Sequence, residues 1–196
     1  MSTPLYGLDI ETDTAIDGLD PEVAAVVAIA VATPDGDHVL LGDEADILTG
    51  VDMLLSTLGP GVIVTWNGSR FDLPFLARCS GRHHLRTGLR LWSDRQLAVE
   101  GDVYRGAWHD HDHLDGYRLY RADVGRSLRL PCGLKPLARM VGLRPVEVDR
   151  SSIHLLGDAE VRRYVASDAR LARELVLRRW PTAAPFADGC HSHAAD

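Results

Sequence analysis

Apolar positions recur with two periods along this chain, and each change of period marks a new element. Apolar runs at residues 5–9 (LYGLD), 23–32 and 38–41 have strand lengths and strand spacing. The turn sequences DGLDP and TPDGD separate them, and the second of these makes the later pair an antiparallel hairpin. Over residues 44–58 the spacing becomes helical, with Ile47, Leu48, Val51, Leu54 and Leu55 on one face, and Gly59, Pro60 and Gly61 close that helix. The β-branched run VIVT at 62–65 predicts a fourth strand. A helix follows over 71–79, with Pro74 tolerable only in its first turn. Residues 81–106 have no clear period, being basic at first and then acidic, and 107–120 (AWHDHDHLDGYRLY) read as a fifth strand passing into a helix. A helix over 134–141 is closed by Gly142, and a long one over 158–180 is ended by Pro181. Residues 182–196 have the composition of a disordered tail. There is no internal repeat. This order predicts one α/β domain over residues 1–181: a mixed five-stranded sheet, three antiparallel strands first, with helices on its faces.

Composition narrows the partners. The 196 residues suffice for one domain with a substantial core. A formal net charge of -7 and a pI near 5.7 argue against a protein that binds nucleic acid through an overall basic surface. A polyanionic substrate then requires metal ions and a local basic patch. The cluster RCSGRHHLRTGLR, with Arg78, Arg82, Arg86 and Arg90, is either that patch or an ordinary solvated surface. No apolar run approaches the roughly 20 residues of a membrane span, and MSTPLYGLD lacks the pattern of a secretion signal, so a cytoplasmic protein without a membrane partner is expected. Cys79, Cys132 and Cys190 are odd in number and scattered, which suits reduced thiols.

Three acidic segments stand out against these elements. In LDIET, Asp9 and Glu11 follow an apolar run at a spacing of two, so both carboxylates point to one side of a strand. Solvation at a strand end explains them, and so does a shared metal ion. In VIVTWNGSRFDLPFL a strand runs into Asn67 and Gly68, and Asp72 opens a helix, where the helix dipole alone favours an acid. In YVASD, Tyr164 and Asp168 lie one turn apart on the apolar face of the last helix, where a carboxylate is costly unless a partner meets it. Arg162 and Arg170 are the candidate partners in sequence.

Taken in order, LDIET, NGSRFDLPFL and YVASD resemble the three motifs of the DEDD superfamily of 3′-to-5′ exonucleases, in the subtype with tyrosine in the third motif. NGSRFDLPFL is similar to the proofreading domains of family B DNA polymerases. The resemblance spans residues 5 to 180 and implies a ribonuclease H-like fold, here as a stand-alone exonuclease. It further implies two divalent ions, Mg²⁺ or Mn²⁺, with Asp9 bridging them, Glu11 and Asp168 completing the water-activating site, and Asp72 serving the second ion. Tyr164 would orient the attacking water, since a free phenol has a pKa of about 10 and is a poor base. The implied substrate is the 3′ end of single-stranded nucleic acid, DNA favoured, cut to nucleoside monophosphates. A short-RNA exoribonuclease and a non-catalytic nucleic-acid-binding protein on the same fold are the alternatives.

Thr12, Trp66, Asn67 and Phe71 flank the motifs and are candidate substrate contacts, although Phe71 suits core packing equally well. His109, His111 and His113 would share one face of a strand, as in a zinc or nickel site. The same segment also reads as the strand and helix start between the second and third motifs, with His113 and Asp115 structural at the sheet edge. The tail sequence CHSHAAD is a further, adventitious metal candidate. Lys135, in GLKPLARMVGL, either faces phosphate or is an exposed lysine at a helix start.

Overall fold

The computed structural model describes residues 3–94 and 103–187. Its strands are β1 (Leu5–Thr12), β2 (Val26–Ala32), β3 (Asp37–Leu41), β4 (Val62–Thr65), β5 (Leu89–Ser93), β6 (Tyr104–Trp108) and β7 (His111–Asp115). They form one sheet in the order β3-β2-β1-β4-β7-β6-β5. The parallel strands β1, β4 and β7 make its centre, flanked by antiparallel β2–β3 on one side and β6–β5 on the other.

The sheet therefore has seven strands among the described residues, not five. β5 is a half-buried edge strand, LRLWS, whose alternation is too weak to read. β6 and β7 are joined by a two-residue turn, His109–Asp110, that contains no glycine, so the usual hairpin signature is missing. His109 adopts the left-handed conformation there, with φ 49°. β7 lies between β4 and β6, so His113 and Asp115 are buried inside the sheet and not at its edge.

The helices are α1 (Glu44–Thr57), α2 (Asp72–Arg82), α3 (Gly116–Tyr120), α4 (Arg126–Leu128), α5 (Leu134–Met140), α6 (Asp158–Arg178) and α7 (Trp180–Ala187), with a π-helical turn at Arg121–Gly125 and a 3₁₀ turn at Arg150–Leu155. The expected 158–180 helix is thus two helices. Pro181 falls in the first turn of α7, where its missing N–H costs nothing, so it starts a helix instead of ending one. The expected tail begins within α7, and residues 188–196, with Cys190 and CHSHAAD, lie outside the described residues. Cys79 and Cys132 are buried free thiols. Among the described residues no helix is long and apolar enough to cross a membrane.

Alternation along β1 sets the two layers. Tyr6, Leu8 and Ile10 face a core shared with Ile47, Leu48, Val51 and Leu55 of α1 and Phe75, Leu76 and Cys79 of α2. Gly7, Asp9 and Glu11 face α6. On that side β2 presents Ala28, Ala30 and Ala32 against Val161, Val165 and Ala169, and small side chains let α6 come close. Gly7 is the tightest point. A Cβ there would stand 2.0 Å from the Ala169 carbonyl oxygen, a backbone atom that cannot swing aside. Gly7→Ala should cost about 1–3 kcal/mol through forced separation of α6 from β1; a urea unfolding midpoint equal to that of the parent chain would contradict this packing.

Candidate active site

The helix that presses on Gly7 brings Asp168 to the acids of β1. Asp9, Glu11 and Asp168 each offer a carboxylate oxygen, and these oxygens all lie within 4.8 Å of one another. Asp72 comes from a different direction. Pairing of β1 with β4 ends at Gly7–Val64, so the last residues of β1 overhang β4, and the chain leaving β4 turns back to start α2 beside them. The Ile10 backbone amide lies near enough to the Asp72 carboxyl to favour its charged form. Asp72 is not one of the three mutually close carboxylates, but its charge acts on both Asp9 and Glu11. The four acids predicted from sequence therefore share one neighbourhood.

Burial pushes all four carboxyls upward, and nearby acids add to it. Asp9 rises well above the ordinary range through burial, then through Asp168, Glu11 and Asp72. Burial, with Asp168 and Asp72, takes Glu11 to about 8 although Arg150 and Lys135 pull against it. Asp72 is pushed to about 7, first by burial, with its own and the Ile10 amide opposing. Burial takes Asp168 to about 6, against Lys135 and Arg150.

Tyr164 is fully buried one turn before Asp168, and burial followed by the Asp168 and Glu11 charges holds its phenol well above the usual value. Among the described residues, its hydroxyl and Asp168 Oδ1 are buried oxygens without a hydrogen-bond partner. Unpartnered buried oxygens beside converging carboxylates call for a ligand. Hard oxygen donors under mutual repulsion suit a hard divalent cation such as Mg²⁺ or Mn²⁺.

Two basic side chains belong to the same neighbourhood. Lys135, in the first turn of α5, places Nζ 3.4 Å from Asp168 Oδ2 and 3.9 Å from the centre of the Tyr164 ring. Its side chain is only 14% exposed, so it is neither an exposed helix-start lysine nor free for phosphate. Arg150, at the start of the 3₁₀ turn, acts electrostatically on Asp9, Glu11, Asp72, Tyr164 and Asp168. Sequence reading missed Arg150 because PVEVDRSSIH has neither period nor motif.

The flanking candidates are held mainly by the protein itself. The Thr12 hydroxyl donates to the Gly18 carbonyl at 2.6 Å. Trp66 donates from Nε1 to the Cys132 carbonyl and packs on Tyr120. Phe71 stacks at a tilt on Phe75 and joins the α1–α2 core. Asn67 is left-handed, with φ 71°, and its amide donates to Asp115 Oδ1 at 2.9 Å. Asp115 also accepts from the amides of Ser69 and Tyr117 and caps α3, so one buried carboxylate fixes the loop that delivers Asp72. An aspartate before a helix start, in HLDGYRL, was the available sign of that role.

Neither rival cluster survives as a site. His109 bonds Asp52, His111 Nε2 bonds the Leu55 carbonyl, and His113 Nε2 meets the Thr65 hydroxyl, so the three rings have separate partners. They do not share a face because His109 occupies the turn. In the basic cluster, Arg78 pairs with Glu22, Arg82 with Glu44 and the Pro21 and Ala24 carbonyls, and Arg90 with the His109 carbonyl. Three of its four arginines thus have partners within the chain, Arg78 and Arg90 at the exposed surface.

A family model described as the RNase_H superfamily matches residues 7–155. This chain belongs to the RNase_H superfamily. The superfamily match includes Asp9, Glu11, Asp72, Lys135 and Arg150 and stops before Tyr164 and Asp168. A DNA polymerase of Archaeoglobus fulgidus is 33% identical over 67 residues, which are 34% of this chain and 9% of the polymerase. The structure of the family B DNA polymerase of Pyrobaculum calidifontis superposes with a TM-score of 0.74 at 21% identity, over 92% of this chain and 25% of that one. The latter likeness is one of fold, and this RNase_H-superfamily chain spans only a small part of either polymerase.

The raised carboxyls predict how stability follows pH. Each contributes stability that is complete below its unfolded pKa of about 4. That stability is lost as pH rises through about 6 for Asp168, about 7 for Asp72 and about 8 for Glu11. In chelator the melting temperature should fall between pH 5.5 and 8.5, and millimolar Mg²⁺ or Mn²⁺ should restore it chiefly at the upper end. A melting temperature indifferent to both pH and metal would contradict the cluster.

Proposed function

We propose that the chain is a metal-dependent 3′-to-5′ exonuclease of the tyrosine subtype of the DEDD superfamily, releasing nucleoside monophosphates from single-stranded ends. The observation that carries this reading is the convergence of Asp9, Glu11 and Asp168 beside a buried, unpartnered Tyr164 hydroxyl, with the charge of Asp72 acting on Asp9 and Glu11. Membership of the RNase_H superfamily supports a nuclease, and likeness to two DNA polymerases favours DNA over RNA.

Asp9, Glu11 and Asp168 would hold one divalent ion, with Asp9 shared and Asp72 serving a second. Bound there, such ions supply Lewis-acid stabilisation of the phosphate and lower the pKa of a coordinated water. The remaining tasks fall to side chains. Lys135 holds Asp168 by Oδ2 and leaves Oδ1 turned into the site. The Lys135 ammonium also covers one face of the Tyr164 ring and fixes its place. Held neutral by burial and by the surrounding acids, Tyr164 works as a hydrogen-bonding group that orients the attacking water and not as a base. Asp115 is a positioning residue, since it acts through the loop that carries Asp72.

A time course on end-labelled single-stranded DNA and RNA of matched sequence tests the proposal. A ladder shortening from the 3′ end, with Mg²⁺ or Mn²⁺ and not with chelator, is the expected result, faster on DNA; internal cuts or inertness under every metal would overturn it. Asp9→Asn should lower the rate by about 10²–10³-fold, as for loss of one transition-state contact. Tyr164→Phe should lower turnover by about 10²-fold with metal binding by calorimetry unchanged. Full activity in that variant would remove Tyr164 from the mechanism.

A further inference from the structure

In a chain of net charge -7, arginines collapse readily onto acids, and many here do. Arg78, Arg82, Arg105, Arg118, Arg139, Arg170, Arg173 and Arg179 are all in ion pairs. Arg150 is not among them, although the acids of the site act on it. It is exposed, Asp9, Glu11, Asp72 and Asp168 all feel its charge, and yet among the described residues its side chain forms no ion pair or hydrogen bond.

The turn that carries it is firmly built. Asp149 accepts from the Ser151 amide at 3.0 Å, the Ser151 hydroxyl at 2.7 Å and the Ser152 hydroxyl at 3.1 Å, which fixes the chain on one side of Arg150. Ile153 is buried. His154 meets the Thr14 hydroxyl with its ring Nδ1 at 2.8 Å and donates its amide to the same oxygen at 3.4 Å. Thr14 lies three residues beyond Glu11 on the loop leaving β1, so the turn is latched to the segment that follows the two carboxylates of β1.

We propose that Arg150 is a substrate-positioning residue whose guanidinium binds the non-bridging oxygens of a backbone phosphate of the strand held over Asp9, Glu11 and Asp168. This rests on the exonuclease reading above. A planar fork of donors matches two phosphate oxygens and pairs with them side by side. Cations held by the carboxylates weaken the acids' pull on Arg150 and leave its fork to an anion arriving from solvent. The other cation of the site, Lys135, is covered and already engaged by Asp168. Among the described residues Arg150 therefore supplies at this site what Lys135 does not, a cation without an ion pair where the polyanion would end.

The full chain, Arg150→Ala and Arg150→Lys are compared on a fluorescein-labelled oligothymidylate. Cleavage is followed with Mn²⁺, and binding by anisotropy with Asp9→Asn added to each. Arg150→Ala should raise KM and weaken binding by about tenfold, and should flatten the dependence of log binding constant on log salt by about 0.7, the loss of one phosphate contact on a single strand. Arg150→Lys keeps the charge and loses the fork, so its salt slope should match the parent while its affinity falls severalfold. A purely structural role would lower the melting temperature and leave the salt slope unchanged, and that result overturns the proposal. If Arg150→Ala does not fold, Arg150→Lys decides alone: parental affinity and parental kcat/KM in that variant overturn it. An inactive parent chain would instead defeat the exonuclease reading.

Discussion

Repulsion among four carboxyl groups is the constraint on which the rest of the structure depends. Left to themselves, Asp9, Glu11, Asp72 and Asp168 would separate or take up protons, and their pKa values are raised first by burial and, for Asp9 and Glu11, also by the neighbouring acids of the cluster. The fold holds them together by giving each a rigid base. Asp9 and Glu11 stand on a central strand bonded on both sides, and Asp168 on a 21-residue helix packed against that strand without an intervening side chain at Gly7. Asp72 is fixed through Asp115, which bonds the loop leading into its helix. Charge is offset from two sides, by Lys135 in contact and by Arg150 across a gap.

The sequence made this site readable because its acids sit in strongly periodic surroundings. LYGLDIET is a strand by pattern, and the spacing of Asp9 and Glu11 puts both on one face, as the structure has them. The apolar stripe around Tyr164 and Asp168 likewise fixed which side of α6 is buried. What periodicity does not carry was lost. β5 alternates weakly, the β6–β7 turn uses His and Asp where Asn-Gly is usual, and Pro181 stops or starts a helix according to its place in the first turn. Side chains that act from irregular segments were lost for the same reason. Nothing in PVEVDRSSIH sets Arg150 apart, and Lys135 acquires its meaning only when α5 docks on α6.

The histidine segment shows how a local motif misleads. HDHDH has the residue types of a metal site and would present them on one face of a continuous strand. A turn at His109 breaks that register, and each ring is taken up by a neighbour from a different element. Burial then holds His113 neutral, its pKa lowered to about 3, which suits a strut between β4 and β7. The basic cluster around α2 follows the same logic, with Arg82 and His83 gathered on the buried carboxylate of Glu44.

The docking of α6 on β1 also bears on the order of events in synthesis. Asp9 and Glu11 emerge early, whereas Asp168 and Tyr164 follow only after α1 to α5 and every other strand of the sheet. Contacts of such long sequence separation form late, because much of the chain must be ordered before they close. No nascent fragment that lacks α6 can assemble the cluster, however well its sheet has formed. On the exonuclease reading proposed above, the protein would thus be born without an edge, among the nucleic acids of its own ribosome, and acquire it only when α6 folds home.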